Sequence, residues 1–396
     1  MSTGASPQAR PKTRWVVERR QSEHPLWVMS VSAMAFFLAL VVTAFIFRAY
    51  GHSPLEAYQT IFQRTFTSFK DFSEVLRKST PLLLCGVGLI LAFRAKFWNI
   101  GAEGQILAGA LAAGGVALFV PIPPSIIIPV MFLAGFIAGG LWGFIPAILK
   151  VRLGVNEIIT TLMMNYVAFF IVQWLINGPW KGKQVYGFPY SDNFERYAWL
   201  PTIYGKDIHN FLVNRFGIDP ESMQWVLNIS KTRLHWPTLL LAIVLTFVVV
   251  WILNSSKIGF EIRMMGESPE AARYSGVNFF RTTIVLMLIS GGAAGIAGVG
   301  EVAGIHHKIV GPDNISLGYG YTAIIVALLA RGRPLAALIT APMLGLVFAA
   351  GDVMKVSLKM PFQITDVISG LVLFFLICSE PLLRYRLRRV AIREEG

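Results

Sequence analysis

The sequence has few charged residues and almost no cysteine, and it lacks the short motifs of common enzymes. Asp, Glu, Lys and Arg make up 14% of its 396 residues, whereas a soluble domain has about 25%. Its two cysteines, Cys85 and Cys378, lie far apart in apolar runs without metal-ligand spacing, which indicates packing rather than a disulfide framework. HExxH is missing, and the adjacent histidines 306–307 have no third ligand nearby. We therefore predict neither a catalytic nor a metal site.

Long apolar segments take the place of the missing charges. Hydrophobic residues make up 55% of the chain, and its mean hydropathy is +0.59. Runs such as 27–47 and 237–253 are apolar on every face, and each is near the ~20 residues that cross a bilayer as a helix. The net charge of +13 suits membrane orientation, and no nucleic-acid motif accompanies it. The sequence predicts an all-α polytopic protein that contacts the lipid membrane and no nucleic acid.

The apolar runs predict about ten transmembrane helices within a domain at 26–380. A Ser-, Pro- and Arg-rich arm, 1–25, precedes it, and we expect disorder there; a basic tail, 381–396, follows it. With both termini placed in the cytoplasm, the inner segments hold 20 Lys and Arg and the outer ones 15, a modest bias of the expected sign. The expected spans are 26–47, 79–93, 104–121, 125–149, 158–176, 236–254, 282–303, 318–330, 334–352 and 364–380.

This topology leaves two long connections, an extracytoplasmic loop at 177–235 and a cytoplasmic loop at 255–281. The segment 48–78 has apolar residues at helical spacing, which predicts an amphipathic helix on the outer membrane surface; a re-entrant segment is the alternative. Spans 2–5 and 7–10 run in opposite senses, so they could form two inverted halves, a plan common among transporters. No residue-level repeat supports that symmetry.

The cytoplasmic loop contains GESPEAARYSG, 266–276, which has the signals of a complete short helix. Ser268 is a good N-cap, Pro269 suits the first helical position, and Gly276 can adopt the left-handed conformation that ends a helix. A helix of about two turns is too short to be stable alone. Two interpretations of this helix remain: a solvated connector, or a docking helix for a separate cytoplasmic subunit.

The sequence NIGAEGQ interrupts an apolar pattern with polar residues and glycine. It places Asn99, Glu103 and Gln105 close to the expected inner surface. One interpretation is a broken helix beside a transport path, because irregular backbone is tolerated in a membrane only where it is shielded from lipid. The other is an inner loop followed by a helix N-terminus, where the dipole favours Glu103.

The sequence NEIITTLMMN begins the fifth expected span with polar residues. Asn156, Thr160 and Met164 share one helix face, which suggests a pore or gate. Capping and hydrogen bonding between helices are the alternative. The motif's other polar residues are Glu157, Thr161 and Asn165.

Small residues dominate 290–304, where Gly291 and Gly295 are four apart, as are Gly300 and Gly304. This spacing predicts close helix packing first and a subunit interface second. Glu301 lies among them, and an acid within a span is a functional candidate by default. Glu301 is expected near the outer end of the span, so an ion pair with His306 or Lys308 is an equally good explanation of its presence.

Three motifs together resemble one family. KIGFEIRMMGESPEAARYSGVN is similar to the coupling loop of permease subunits of ATP-binding cassette (ABC) importers, and FWNIGAEGQILAGA (97–110) and NEIITTLMMNYVA (156–168) resemble two further signatures. The family transports simple sugars, nucleosides and branched-chain amino acids, and the motifs most resemble its nucleoside-type permeases. The resemblance covers roughly residues 75–380, and the three motifs occur in the same order as in the family.

The resemblance implies a transport subunit that is not itself an enzyme, in a bacterial plasma (inner) membrane. Its partners would be cytoplasmic ABC ATPase subunits, a second permease subunit, the same or homologous, and an external solute-binding lipoprotein. ATP-Mg would bind the ATPase subunits, and no cofactor would bind this chain, which lacks GxxxxGK[ST]. The implied solute is a nucleoside; a simple-sugar permease and an ion-gradient-driven secondary transporter are alternatives, and a membrane-embedded enzyme ranks below both.

The resemblance also assigns roles to the motif residues. The residues expected to couple to the ATPase are Glu267, Pro269, Glu270, Ala272, Arg273 and Gly276. The residues expected along the translocation path or gate are Asn99, Glu103, Gln105, Asn156, Glu157, Thr160, Thr161, Met164 and Asn165.

Overall fold

The structure is a computed structural model, and it describes residues 13–19, 25–183, 187–204 and 232–391. The chain divides into two compact units. The first comprises 1–58 and 358–396, and the second comprises 59–357.

Most described residues are helical, as predicted. The helices are α1 (Pro25–Ala49), α2 (Pro54–Phe66), α3 (Phe69–Arg94), α4 (Ala102–Phe119), α5 (Ile127–Leu153), α6 (Glu157–Asn177), α7 (Trp236–Ser255), α8 (Lys257–Glu267), α9 (Pro269–Tyr274), α10 (Phe279–Glu301), α11 (Pro312–Ser316), α12 (Tyr319–Leu329), α13 (Pro334–Ser357) and α14 (Phe362–Arg384); the two strands are β1 (Thr13–Arg19) and β2 (Tyr385–Ala391).

Seven helices among the described residues are long and apolar enough to cross a membrane, or eight if the bent pair Phe37–Ala49 and Pro54–Phe66 forms one span. The predicted all-α polytopic membrane protein is confirmed, whereas the count of ten is not. The expected span at 318–330 is the helix α12, with eleven residues. At 1.5 Å per residue it rises about 16 Å, roughly half the hydrocarbon core. The two inverted halves stay a prediction.

The first unit combines helices α1 and α14, which pack together, with a two-stranded antiparallel ribbon. In the ribbon, Thr13 pairs with Ala391 and Arg19 with Tyr385. The expectation of disorder over 1–25 is therefore wrong for β1, because each strand completes the backbone hydrogen bonds of the other. Residues 1–12 and 20–24 lie outside the described residues, as do the last five residues of the tail expected at 381–396.

The second unit is built around α3 and α10. Helix α3 is buried along almost its whole apolar stretch, and it packs against α7, α10, α12 and α13. Helix α10 lies against α4 and α5. These contacts depend on glycine, because the backbone of Gly291 meets that of Gly139, and Gly295 meets both Gly109 and Gly135. The small-residue stripe thus packs helices within this chain, as predicted first; the subunit interface was the second choice.

Helix α3 begins earlier than the span expected at 79–93, and the segment 48–78 is not one helix. Ser68 separates α2 from α3, and its side chain accepts a hydrogen bond from the Asp71 backbone N–H at 3.1 Å. The charged residues near the start of α3 are paired: Arg77 Nε lies 2.7 Å from Glu74 Oε2, and Lys78 Nζ lies 2.8 Å from Asp352 Oδ2. These pairs compensate for burying Arg77 and Lys78.

The structure groups the connecting segments of the second unit at two ends. At the end that carries α9, Gly266 contacts the Arg94 carbonyl, and Arg94 Nε donates to the Gly332 carbonyl at 2.9 Å. At the opposite end, the Ser191 N–H donates to the Ile309 carbonyl at 3.0 Å. Connecting segments that the predicted topology places on the same side of the membrane therefore lie together in the structure. Residues 184–186 and 205–231 of the long loop fall outside the described residues.

Candidate functional site

The predicted short helix is present as α9, and local contacts close both of its ends. The Ser268 hydroxyl accepts from the Ala271 N–H at 3.3 Å. At the C-terminus, Gly276 has φ of 77°, which an L side chain rarely adopts. The Gly276 N–H donates to the Arg273 carbonyl and the Val277 N–H to the Ala272 carbonyl, both at 3.0 Å. The caps keep this six-residue helix intact at the protein surface.

Helix α9 presents nearly all of its side chains outward. Ala272 is fully buried and anchors the helix, whereas Tyr274, two residues later, is 97% exposed. The Arg273 guanidinium lies 5.4 Å from the centre of the Phe279 ring, which holds it in place. The remaining residues expected to couple to the ATPase are all exposed; they are Glu267, Pro269, Glu270 and Gly276.

Helix α8, which the sequence did not predict, attaches α9 to the rest of the second unit. The backbone of Gly259 contacts the Ile252 carbonyl on α7. Thr282 of α10 donates a hydrogen bond to Glu261 at 2.7 Å. Gly266, at the other end of α8, contacts the carbonyl of Arg94, where α3 ends. Helix α8 therefore contacts α7, α10 and the turn between α3 and α4 as well as leading into α9.

That turn contains NIGAEGQ, and it is a loop followed by the N-terminus of α4. Asn99 is fully buried. Its Nδ2 donates to Gln105 Oε1 at 3.1 Å and to Ser290 Oγ of α10 at 3.2 Å. Its Oδ1 accepts from the Gly101 N–H at 3.0 Å and from Gln105 Nε2 at 3.2 Å. Asn99 therefore fixes the turn to the first residues of α4 and to the centre of the unit.

Helix α6 contributes two more side chains to this network. Asn165 Oδ1 accepts from the Gly104 N–H at 2.9 Å, and its Nδ2 donates to the Ile100 carbonyl at 2.9 Å. The Ile100 N–H donates to Thr161 Oγ1 at 3.2 Å. Both side chains thus bond the irregular backbone that a membrane environment would otherwise leave unpaired.

Glu103 connects the turn to the start of α12. Its Oε1 accepts from the Gly318 N–H at 3.0 Å, and its Oε2 accepts from the Gly320 N–H at 2.7 Å. The backbone of Gly320 lies directly against that of Glu103, so a side chain at Gly320 would not fit. The carboxylate therefore satisfies amides at the N-terminus of a short helix.

The buried face of α6 differs from the polar stripe that the sequence predicted. Glu157, Thr161 and Asn165 are buried, whereas Asn156 is exposed and caps the helix by accepting from the Ile158 N–H at 2.9 Å. Thr160 and Met164 are partly buried. Glu157 Oε2 pairs with Lys150 Nζ of α5 at 2.7 Å. The face at 157, 161 and 165 packs because its side chains find partners on α4 and α5.

The surroundings of Glu301 also differ from both expected pairings. His306 bonds the Asn314 carbonyl at 3.0 Å, and Lys308 lies 4.7 Å from the centre of the Tyr190 ring. The charged side chains within electrostatic range of Glu301 are instead Arg77, Lys78 and Glu74, all on α3. Sequence reasoning missed Arg77, because more than 200 residues separate it from Glu301 and no local motif marks the pair.

A bundle of apolar helices with an exposed capped helix at one end is the architecture that the motifs predicted for a transporter subunit. The family of permease components of branched-chain amino acid transport systems matches residues 72–377. The chain belongs to this family, and it is a permease subunit of an ABC importer, as the sequence motifs predicted.

Three relatives match along almost their whole length. A glucose ABC transporter permease of Haloferax volcanii is 34% identical over 365 residues, which cover 91% of this chain and 90% of that protein. A guanosine ABC transporter permease of Bacillus subtilis is 29% identical over 350 residues, or 88% and 93% of the two chains. A nucleoside ABC transporter permease of Lactococcus lactis is 28% identical over 347 residues, or 87% and 90%. No solved structure matches the chain.

Proposed function

We propose that this permease carries a nucleoside into the cell, driven by ATP hydrolysis on a separate subunit that docks on α9. The observation that carries the docking proposal is the exposure of a helix closed by a cap at each end. A solvated connector does not need an αL glycine, a serine cap and a buried alanine in nine residues, 268–276. A surface that another protein contacts and pushes does need a rigid, exposed shape.

The proposed coupling route runs from α9 through α8 to the turn between α3 and α4. A push on α9 would reach the Arg94 carbonyl through Gly266. Asn99 follows within the same turn, and its hydrogen bonds join α4 to α10. We infer that the predicted path residues around this turn form a joint between helices. A change in its conformation would open and close the pathway at the α9 end.

The proposed assembly has the α9 end and both chain termini in the cytoplasm and lies in a bacterial plasma (inner) membrane. It contains two ABC ATPase subunits, which bind ATP-Mg, and a second permease subunit, the same or homologous. The opposite end, formed by the described parts of 177–235 and by 303–310, would face an external solute-binding lipoprotein. The excess of Lys and Arg in the inner segments supports this orientation.

The solute proposal is supported by the guanosine and nucleoside permeases among the relatives. A simple sugar is the second candidate, because the relative from Haloferax volcanii is named as a glucose permease. Uptake of labelled guanosine, glucose and ribose by cells with and without this gene separates the two. We expect loss of guanosine uptake alone. Loss of glucose or ribose uptake alone would replace the nucleoside by a sugar and leave the docking proposal intact.

Combining Arg273→Glu with Gly276→Pro is expected to abolish co-purification of the ATPase subunits and to lower uptake at least about tenfold. The first change reverses an exposed charge, and the second removes the αL end of α9, since proline fixes φ near −65°. The permease itself should still fold, because both residues are exposed. The measurement is ATPase recovery with the purified permease, together with uptake.

The matched control combines Arg196→Glu with Gly187→Pro at the opposite end. Arg196 is exposed, and Gly187 has φ of 85°, so the same two changes meet the same local conditions there. We expect the ATPase subunits to remain bound to this control. Equal recovery of the ATPase with both double variants would show that α9 is not the docking site. Uptake that continues without any ATPase subunit would instead favour a secondary transporter driven by an ion gradient.

A further inference from the structure

A cavity of about 840 Å³ opens on the second unit, away from α9. Its lining comes from the end of α2, the start of α3, the end of α13 and the segment just before α7. Three of its cations, Arg64, Lys70 and Arg233, are exposed, whereas Arg77 is buried. The volume is within the range of small-molecule sites. This basic cavity therefore has room for a ligand and an opening through which a ligand can enter.

The charges of the basic cavity favour an anion. Of the lining residues that the structure describes, the cations are Arg64, Lys70, Arg77, Arg233 and Lys355, and the acids are Asp71, Glu74 and Asp352. Glu74 and Asp352 are already held in the ion pairs with α3 described above. Arg64, Lys70 and Arg233 have no ion pair among the described residues. The cavity thus keeps positive charge that a ligand can neutralise.

Exposed phenylalanines alternate along the chain with the cations of the basic cavity. They are Phe62 and Phe66 on α2, and Phe69 and Phe72 at the start of α3, and each is at least 37% exposed. The ring centres of Phe62 and Phe66 lie 5.1 Å apart, and those of Phe66 and Phe72 lie 6.2 Å apart. This phenylalanine patch beside basic side chains is typical of segments that lie at a membrane interface.

The level of the basic cavity along the bundle matches the head groups of a bilayer. At about 1.5 Å per residue, α3 rises roughly 26 Å between Arg77 and Arg94, and Arg94 lies at the end that carries α9. The hydrocarbon core of a bilayer is about 30 Å thick. With Arg94 at one face of the membrane, the cavity lies close to the head groups of the opposite leaflet.

We propose that the basic cavity binds the phosphate of an anionic phospholipid from the leaflet opposite α9, with its acyl chains against the phenylalanine patch. Arg64 and Arg233 can each bind a phosphate through paired hydrogen bonds, and Lys70 adds a third positive charge. A zwitterionic head group would bring a further positive charge into a cavity that already has an excess, so the anionic lipid is preferred. The bound lipid would join α2, α3, α13 and the segment before α7.

The test measures lipid binding to the complete transporter, purified in detergent and freed of its own lipid, by native mass spectrometry. Phosphatidylglycerol is compared with phosphatidylcholine that has the same short acyl chains. We expect the wild type to prefer phosphatidylglycerol, and the preference to fall at least about tenfold when Arg64→Gln is combined with Lys70→Gln, as loss of two cations near an anionic lipid would cause. Arg233→Gln alone should lower it about fivefold. The melting temperature without lipid should not change, because all three side chains are exposed.

The matched control combines Lys181→Gln with Lys183→Gln. Both lysines are exposed in the segment after α6, and neither lines the basic cavity. The control removes the same number of positive charges, and we expect it to keep the lipid preference of the wild type. An equal fall in the control and in the Arg64 and Lys70 variant would reduce the effect to general charge attraction and overturn the site.

Two soluble competitors separate a lipid from a free anion. Glycerophosphoglycerol, the same head group without acyl chains, and inorganic phosphate are each added to the lipid-bound wild type. We expect neither to displace phosphatidylglycerol at about tenfold excess, because the acyl chains contribute binding by burying apolar surface. Displacement at that excess would identify a soluble phosphate as the ligand and overturn the lipid proposal.

A protein occupant is the remaining alternative. If the Arg64 and Lys70 variant keeps the lipid preference but loses the solute-binding lipoprotein or the second permease subunit on purification, the cavity is a protein contact and the lipid proposal is wrong. Equal binding of both lipids by the wild type would also overturn it. None of these outcomes depends on which solute the permease carries, so the proposed function is tested separately.

Discussion

Replacing Gly295 by valine is expected to destabilise the second unit strongly. Gly295 lies where α10 touches α5 and α4: its backbone meets the Gly135 carbonyl, and side chains at Gly109 or Gly139 would likewise strike the Gly295 backbone. A Cβ on Gly295 would lie 3.2 Å from Gly139 Cα and still closer to Gly135. Because the obstacle is backbone on both sides, no side chain can rotate away, and the helices themselves must separate.

We expect this variant to lose at least about 3 kcal/mol, the upper part of the usual range for overpacking. That is a large share of the roughly 5–15 kcal/mol that holds a typical protein folded. The measurement is the yield of monodisperse protein in detergent and its melting temperature. Gly370→Val is the control, because no heavy atom of the part that the structure describes lies within 4 Å of a Cβ placed there. Similar yields of the two variants would contradict the packing argument.

Replacing Glu103 by alanine is expected to have the second-largest effect on stability. The change leaves the Gly318 and Gly320 N–H groups without their acceptors inside the unit. A buried donor left unpaired costs about 1–3 kcal/mol. This cost applies in full to the buried Gly320 N–H, whereas the partly buried Gly318 N–H adds less. We expect a lower melting temperature and early proteolysis within 317–333, because α12 would lose its attachment to α4.

Glu103→Gln is the control for this prediction. Its amide retains one oxygen acceptor, and it fills nearly the same volume, so it should recover at least half of the lost stability. Equal destabilisation by both changes would mean that the negative charge, rather than the two hydrogen bonds, maintains the contact. No loss in either variant would contradict the role assigned to Glu103.

The sequence could predict α9 residue by residue, because everything that forms it is local. Ser268, Pro269 and Gly276 act within nine residues, and their preferences do not depend on the rest of the fold. The helical class and most of the spans could also be predicted, since long apolar runs have one stable form in lipid.

The arrangement of the polar motifs could not be predicted in the same way. Asn165 was identified as a candidate, but its partners Gly104 and Ile100 lie 61 and 65 residues earlier. Spacing along a helix shows which residues share a face, and it does not show which face meets a neighbour. For this reason the structure buries the face of Glu157, Thr161 and Asn165 rather than that of Asn156, Thr160 and Met164.

The start of α3 and the β-ribbon were missed for a related reason. The span was expected to begin at 79, after Arg77 and Lys78, whereas the structure buries both residues beside Glu74 and Asp352. The strand β1 has its hydrogen-bonding partner at the far end of the chain, in β2. Both depend on pairing between distant segments.

If the solute passes the path residues proposed above, the contact between Glu103 and α12 has a consequence for the electric charge that the solute can carry. A helix N-terminus carries a partial positive charge, and in transporters with broken helices such termini bind anionic solutes. Here the terminus of α12 already holds a carboxylate from its own chain. An anionic solute would find this helix terminus already occupied by the Glu103 side chain, whereas an uncharged solute would not depend on it.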